Sequence, residues 1–151
     1  MRLTQRYLRA VCTALTPHIQ GHASEKILRT ALAIKLREDG FVCHEEVVLP
    51  VLHDGYFVGH NRIDILVHRI DGRTRKASYV AALELKTIRD SLLDEQRTAE
   101  CTQQSTGYMR CLQHVFSASK TFDVYTVNFR RPHADVEIVA QQHRHKGTRR
   151  A

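Results

Sequence analysis

The chain has 151 residues, 42% hydrophobic and 26% charged, enough for one domain with a sizeable core and too apolar for a disordered chain. No apolar run approaches the roughly 20 residues that cross a bilayer, which argues against a membrane protein. A formal charge of +7 favours an anionic partner, nucleic acid first among them, although over half of the excess sits in the closing segment QQHRHKGTRRA.

Residues 3–16 place Leu3, Tyr7, Leu8, Val11 and Leu15 at helical spacing, and Pro17 interrupts the pattern. Gln and Arg break up the opening apolar positions, so it does not read as a secretory signal. A second helix is expected over 24–38, with Ser24 as N-cap and Gly40 suited to the left-handed position beyond its end. Its apolar stripe reads as Ile27, Ala31 and Ile34, widened by Leu28, Leu32 and Leu36.

Extended signals follow. FVCHEEVVLPVL suggests one or two strands with Pro50 at an edge or bulge, and HDGY at 53–56 is a turn. YFVG, NRIDILVHRI and YVAALELKT complete a meander, the last two joined by the polar connection IDGRTRKAS. Helical spacing resumes near 90, with Asp90 or Ser91 as cap and Gly107 as a weak point. FDVYTVNF at 122–129 and DVEIVAQQ read as two closing strands. The order α–α–β–β–β–α–β–β gives an α/β or α+β domain with a mixed sheet flanked by helices. It spans 1–140, with a basic, flexible tail over 141–151.

Successive strand side chains point to opposite faces. NRIDILV therefore sets Ile63, Ile65 and Val67 against Arg62, Asp64 and Leu66, and AALELKT sets Ala81, Leu83 and Leu85 against Glu84 and Lys86. If the two strands form a hairpin, Asp64 and Glu84 share a face, with Lys86 one pleat on, about 6–7 Å along. The simplest reading is a solvated face with ion pairs of a few tenths of a kcal/mol. Acids are poor strand formers, however, and Leu66 and Ala82 share that face, which suggests a cover such as helix 24–38. Two acids facing each other under a cover favour a divalent cation or a raised carboxyl pKa.

Asp64 followed by Glu84-Leu85-Lys86 resembles the PD-(D/E)xK nuclease core. Within that superfamily the chain looks most like the GxxExxY proteins. The pieces are GHASEKIL with Glu25, GYFVGHNRIDILV with Asp64, LELK with Glu84 and Lys86, QSTGYM with Gln104 and Tyr108, and VYTVNF with Asn128 and Phe129. They cover roughly 18–132. Gly21 stands four residues before Glu25 rather than three, Leu28 stands where the family has Tyr, and Ile63 precedes the first acid in place of Pro.

The resemblance implies a restriction-endonuclease-like core and a Mg²⁺- or Mn²⁺-dependent nuclease, acting on DNA rather than RNA. It implies Asp64, Glu84 and the Leu85 carbonyl as metal ligands, and Glu25 as a further ligand or the holder of a metal-bound water. Lys86 would orient or deprotonate the attacking water, helped if metal and burial lower its pKa. Gln104 would support the site or touch phosphate, and Tyr108 reads as core. Arg62, beside Asp64, would neutralise the cleft or touch a phosphate, or is simply a surface strand arginine. Arg73, Arg75 and Lys76 are candidates for a nucleic-acid backbone contact, or simply a charged hairpin tip. A core this small suggests a partner, a homodimer among the options, to hold a long duplex.

The alternative is a catalytically silent nucleic-acid-binding or interaction module on the same fold, and beyond it a structural protein with decorative charges. The four cysteines are widely spaced, without a CxxC pair, and read as reduced thiols of an intracellular protein of cytoplasm or nucleus. His143 and His145 in HRHK read as solvated tail rather than a metal site.

Overall fold

Two hydroxyl caps start the first two helices. Thr4 accepts from the amide of Tyr7 to open α1, Gln5–Leu15, and Ser24 accepts from Ile27 to open α2, Glu25–Glu38. A single 3₁₀ turn, Thr16–His18, carries Pro17. Gly40 at φ 87° ends α2 as anticipated. The computed structural model describes residues 2–18, 23–116, 121–130 and 135–144; Gly21, His145 and the chain beyond 144 lie outside them.

The sheet has five strands in sequence order: β1 Val42–His53, β2 Tyr56–Ile70, β3 Ala77–Lys86, β4 Thr121–Phe129 and β5 Val136–Arg144. Only β3 and β4 run parallel, and α3, Glu95–Val115, is the crossover that parallel pairing requires. Strand β5 stays paired to Arg144, four residues past the expected domain boundary. Asp54 and Gly55, both at positive φ, make the tight β1–β2 turn read from HDGY. Pro50 lies in β1, an edge strand, next to a register shift at Val51/Leu52.

The two sheet faces bury separate cores. Helices α1 and α2 cover Ile65, Val67, Ala81, Leu83, Leu85, Tyr125 and Val127. Helix α3 covers Leu66, Val80, Ala82, Phe122 and Val124 through Tyr108, Met109, Cys111 and Leu112. The face of β2–β3 that carries Leu66, Ala82 and Glu84 is therefore covered by α3, the crossover from β3 to β4, whereas helix 24–38 meets Asp64 through Arg29. All four cysteines are free and buried.

Three local expectations need correction. The buried stripe of α2 is Leu28, Leu32, Ala33 and Leu36, joined by Arg29, while Ile27 and Ile34 are half exposed. The larger stripe wins because it packs three leucines on the sheet, and an isolated exposed isoleucine costs little. Helix α3 starts at Glu95 with Asp94 as cap, because the chain after Lys86 is held elsewhere first, and Gly107 sits inside the helix without breaking it. Finally, the alternation through Ile63, Ile65 and Val67 fails at Asp64. Ile63 packs on the α3 side, whereas Ile65 and Val67 pack on the α1–α2 side. Opposite this point Glu46 has φ 53°, and the strand pair keeps its register from Glu45↔Ile65 to Val47↔Ile63 while twisting between them. The Glu46 twist sits opposite Asp64.

Candidate active site

The β2–β3 ladder runs from Ile70↔Ala77 to Ile65↔Leu83, and Asp64 is the next residue of β2. There the Asp64 side chain takes over from the ladder: its Oδ2 accepts the Leu85 amide at 2.8 Å. This places the carboxylate against the Glu84-Leu85-Lys86 segment. Asp64 and Glu84 are each only 8% exposed. Burial first, and then the charge of Glu84, raise the pKa of Asp64 against the lowering effects of the Leu85 amide and Arg29.

Glu84 is held from the α3 side. Gln104 Nε2 donates to its Oε1 at 3.0 Å, and the Tyr108 hydroxyl lies 2.8 Å from its Oε2. That hydroxyl also lies 3.0 Å from the Arg62 carbonyl and accepts from Gln104 at 3.1 Å. Tyr108 is thus core, as expected, and part of the site as well. Burial, then the neighbouring Glu84, raise its pKa, so it stays a donor at neutral pH. Lys86 Nζ donates to Glu84 Oε1 at 2.9 Å. Burial lowers the pKa of Lys86, but Glu84, Glu25 and Asp64 together outweigh burial and raise it. The carboxylate surround thus opposes the lowering that burial brings.

Asp64 is held from the α2 side. Arg29 is buried and forks among three acids: Asp64 at 3.8 Å, Glu46 at 3.4 Å and Glu45 at 3.7 Å. Its own Nε has no hydrogen-bond partner among the described residues. Sequence reading missed Arg29, yet the signal was there. It lies four residues after Glu25, which puts both on one helix face. Glu25 itself is exposed on the first turn of α2. Burial and the charges of Asp64 and Glu84 raise its pKa, so it faces the same electrostatic centre.

Not every candidate converges. The Arg62 side chain points to solvent and pairs with Glu46 at 3.7 Å; only its carbonyl meets the site, through Tyr108. Arg73, Arg75 and Lys76 are exposed in the β2–β3 turn, at the far end of the ladder from Asp64, about 20 Å along the strand. Asn128, buried in β4 beside Lys86, accepts from Ile88 N at 3.0 Å and donates to the carbonyls of Ile88 and Asp90. It fixes the chain just after Lys86. Beside the site, two adjoining hollows share Asn61 and Gly107. One is lined by Gln103, Gln104 and Tyr108; the other, about 700 Å³, is lined by Pro50, Val58, Arg110 and His114.

The donor set suits a hard divalent ion. Two buried carboxylates face each other's charge, and Mg²⁺ typically takes one or two carboxylates and fills its other positions with water and substrate oxygen. Among the described residues no group of three or more His, Cys, Asp or Glu side chains comes together to hold a metal, so Glu25 does not join the pair as a third close donor.

A family model for the PD-(D/E)XK nuclease superfamily matches residues 4–138. No curated protein and no solved structure matches the chain.

Proposed function

The chain belongs to the PD-(D/E)XK nuclease superfamily, its α+β fold consistent with a restriction-endonuclease-like core, and from that premise we propose that it hydrolyses phosphodiester bonds of nucleic acid, DNA in particular, with a divalent metal. The observation that carries this is the Asp64 carboxylate bonded to the Leu85 amide, which brings the first acid onto the Glu84-Leu85-Lys86 segment.

Asp64, Glu84 and the Leu85 carbonyl would hold Mg²⁺ or Mn²⁺. When bound, such an ion polarises the phosphate and acidifies a coordinated water. Tyr108 and Gln104 fix the Glu84 carboxylate, and Arg29 steadies Asp64 without competing for the Leu85 contact. Lys86, kept charged by its carboxylate neighbours, acts as a proton donor: it orients the attacking water and offsets the charge that develops on phosphate. Glu25, whose carboxyl senses the charges of Asp64 and Glu84, would accept from a water between α2 and the pair. The polar hollow along α3, ending at Gln104 and Tyr108, offers a path for a nucleic-acid strand. A backbone contact at Arg73, Arg75 and Lys76 would fall about 20 Å away, on the order of six nucleotide steps from the scissile phosphate.

The test is cleavage of plasmid, single-stranded and branched DNA, and of RNA, in Mg²⁺, Mn²⁺ or EDTA, beside Asp64→Ala and Lys86→Ala. Metal-dependent cleavage that either substitution abolishes is the expected result. Cleavage that survives either one overturns the site. Salt-dependent binding without cleavage under any condition would point to a silent binding module.

A further inference from the structure

His44 in β1 and His68 in β2 stand diagonally across the strand pair, given the register Val42↔His68 and His44↔Leu66. Their side chains leave the same sheet face, and their Nε2 atoms lie 3.4 Å apart. That is long for a hydrogen bond between ring nitrogens. The ring centroids are 5.3 Å apart. Had the two Nε2 vertices pointed straight at one another, the centroids would be about 5.7 Å apart, with about 1.15 Å from vertex to ring centre. The ring planes are inclined by 13°, and the shorter separation means that the vertices are tilted off the line between them.

Tetrahedral coordination sets those two distances independently. With metal–nitrogen bonds of 2.0–2.1 Å, two imidazole ligands have nitrogens about 3.3–3.4 Å apart and ring centres about 5.2 Å apart. Both values agree with the pair as it stands, without movement of either strand. We propose that His44 and His68 form a two-imidazole site for a divalent transition ion of the zinc class. The buried Nδ1 of His68 has no hydrogen-bond partner among the described residues, so Nε2 is the ring nitrogen that meets another polar group.

The site is separate from the carboxylate pair. His68 lies four residues from Asp64 along β2, about 13 Å, and its nitrogen donors suit zinc, copper or nickel rather than magnesium. Among the described residues no third His, Cys, Asp or Glu completes the group. The remaining positions therefore open to water, or to donors of a second chain approaching β1, which has a free ladder edge.

Equilibrium dialysis of the full chain against Zn²⁺ in millimolar Mg²⁺ tests this. The expected result is one Zn²⁺ per chain, retained in Asp64→Ala and in the double variant His143→Ala/His145→Ala. The affinity should fall at least tenfold in His44→Ala and in His68→Ala. Imidazole ¹⁵N spectra of the unsubstituted chain give a readout independent of folding: Zn²⁺ should move the Nε2 signals of His44 and His68 and leave their Nδ1 signals protonated. Binding unchanged in His44→Ala/His68→Ala, binding lost with either control, or Nε2 signals that do not respond would each overturn the proposal.

Discussion

The Tyr108 hydroxyl lies 2.8 Å from Glu84 Oε2 and reaches it from the interior of the α3 core, so one side chain both packs the sheet and fixes a site acid. Tyr108→Phe keeps the ring and removes the donor. Hydrogen bonds to charged groups contribute about 1.5–3 kcal/mol, so cleavage should fall roughly tenfold to a hundredfold. The melting temperature should move by only a few degrees. Gln104→Ala, which removes the donor to the other oxygen, should give a smaller loss, because Lys86 also bonds Oε1. Single-turnover rates at saturating metal measure both.

Arg29 is the buried cation that Asp64 shares with Glu45 and Glu46. Its charge holds the Asp64 pKa lower than burial alone would set it. Arg29→Ala should therefore raise that pKa further, and the acidic limb of the pH–rate profile should move to higher pH. Breaking a buried ion pair costs about 3–5 kcal/mol, less here because Glu45 and Glu46 reach solvent, so about 2 kcal/mol of stability should go as well. Arg29→Lys should recover the pH profile in part. An unshifted acidic limb in a folded Arg29→Ala protein would remove Arg29 from the site.

Asp64→Asn separates function from stability. The folded pKa of Asp64 is raised above its unfolded value, so the group favours folding below the unfolded pKa, and that contribution is lost as pH rises through the folded one. At neutral pH the ionised, buried Asp64 is a cost that asparagine does not carry, and the amide oxygen can still accept the Leu85 N–H. The variant should lose cleavage by about a hundredfold to a thousandfold. In EDTA it should melt no lower than the unsubstituted chain. Mg²⁺ should raise the melting temperature of the unsubstituted chain and not that of the variant, because only a bound ligand shifts the transition.

Much of this was legible in the sequence, for local reasons. Caps such as Thr4 and Ser24, the Asp54-Gly55 turn and the period-2 runs act over a few residues, so helices, strands and their order could be read directly. The three candidate residues Asp64, Glu84 and Lys86 could be picked out because two adjacent strands carry them. What escaped depends on long-range geometry. Which helix covers the charged face follows from the parallel β3–β4 pairing, which leaves no local trace. The break in alternation at Asp64 follows from the φ of Glu46, eighteen positions away on another strand. The burial of Arg29 depends on how α2 docks on the sheet, and the raised pKa of Lys86 follows from three carboxylates drawn from two strands and a helix.

The same long-range logic makes Glu137 testable. It accepts from Ser91 Oγ at 2.6 Å and from the Leu92 amide at 2.9 Å, with Asn128 and Arg130 beside it. Burial pushes its pKa up, but those partners outweigh burial and hold it below the ordinary glutamate value. A depressed carboxylate contributes stability above its unfolded pKa and loses it as pH falls through the folded one. Since Glu137 and Asn128 together clasp residues 88–92, this contribution sets the position of the chain that leaves Lys86. Glu137→Gln should destabilise the fold by about 2 kcal/mol at pH 7. The difference in melting temperature from the unsubstituted chain should then shrink as pH falls from about 4.5 through the lower folded value, below which the carboxylate is protonated in both states. A difference that is constant from pH 7 to pH 3 would mean that shape rather than charge holds the segment, and the clasp would then rest on Asn128.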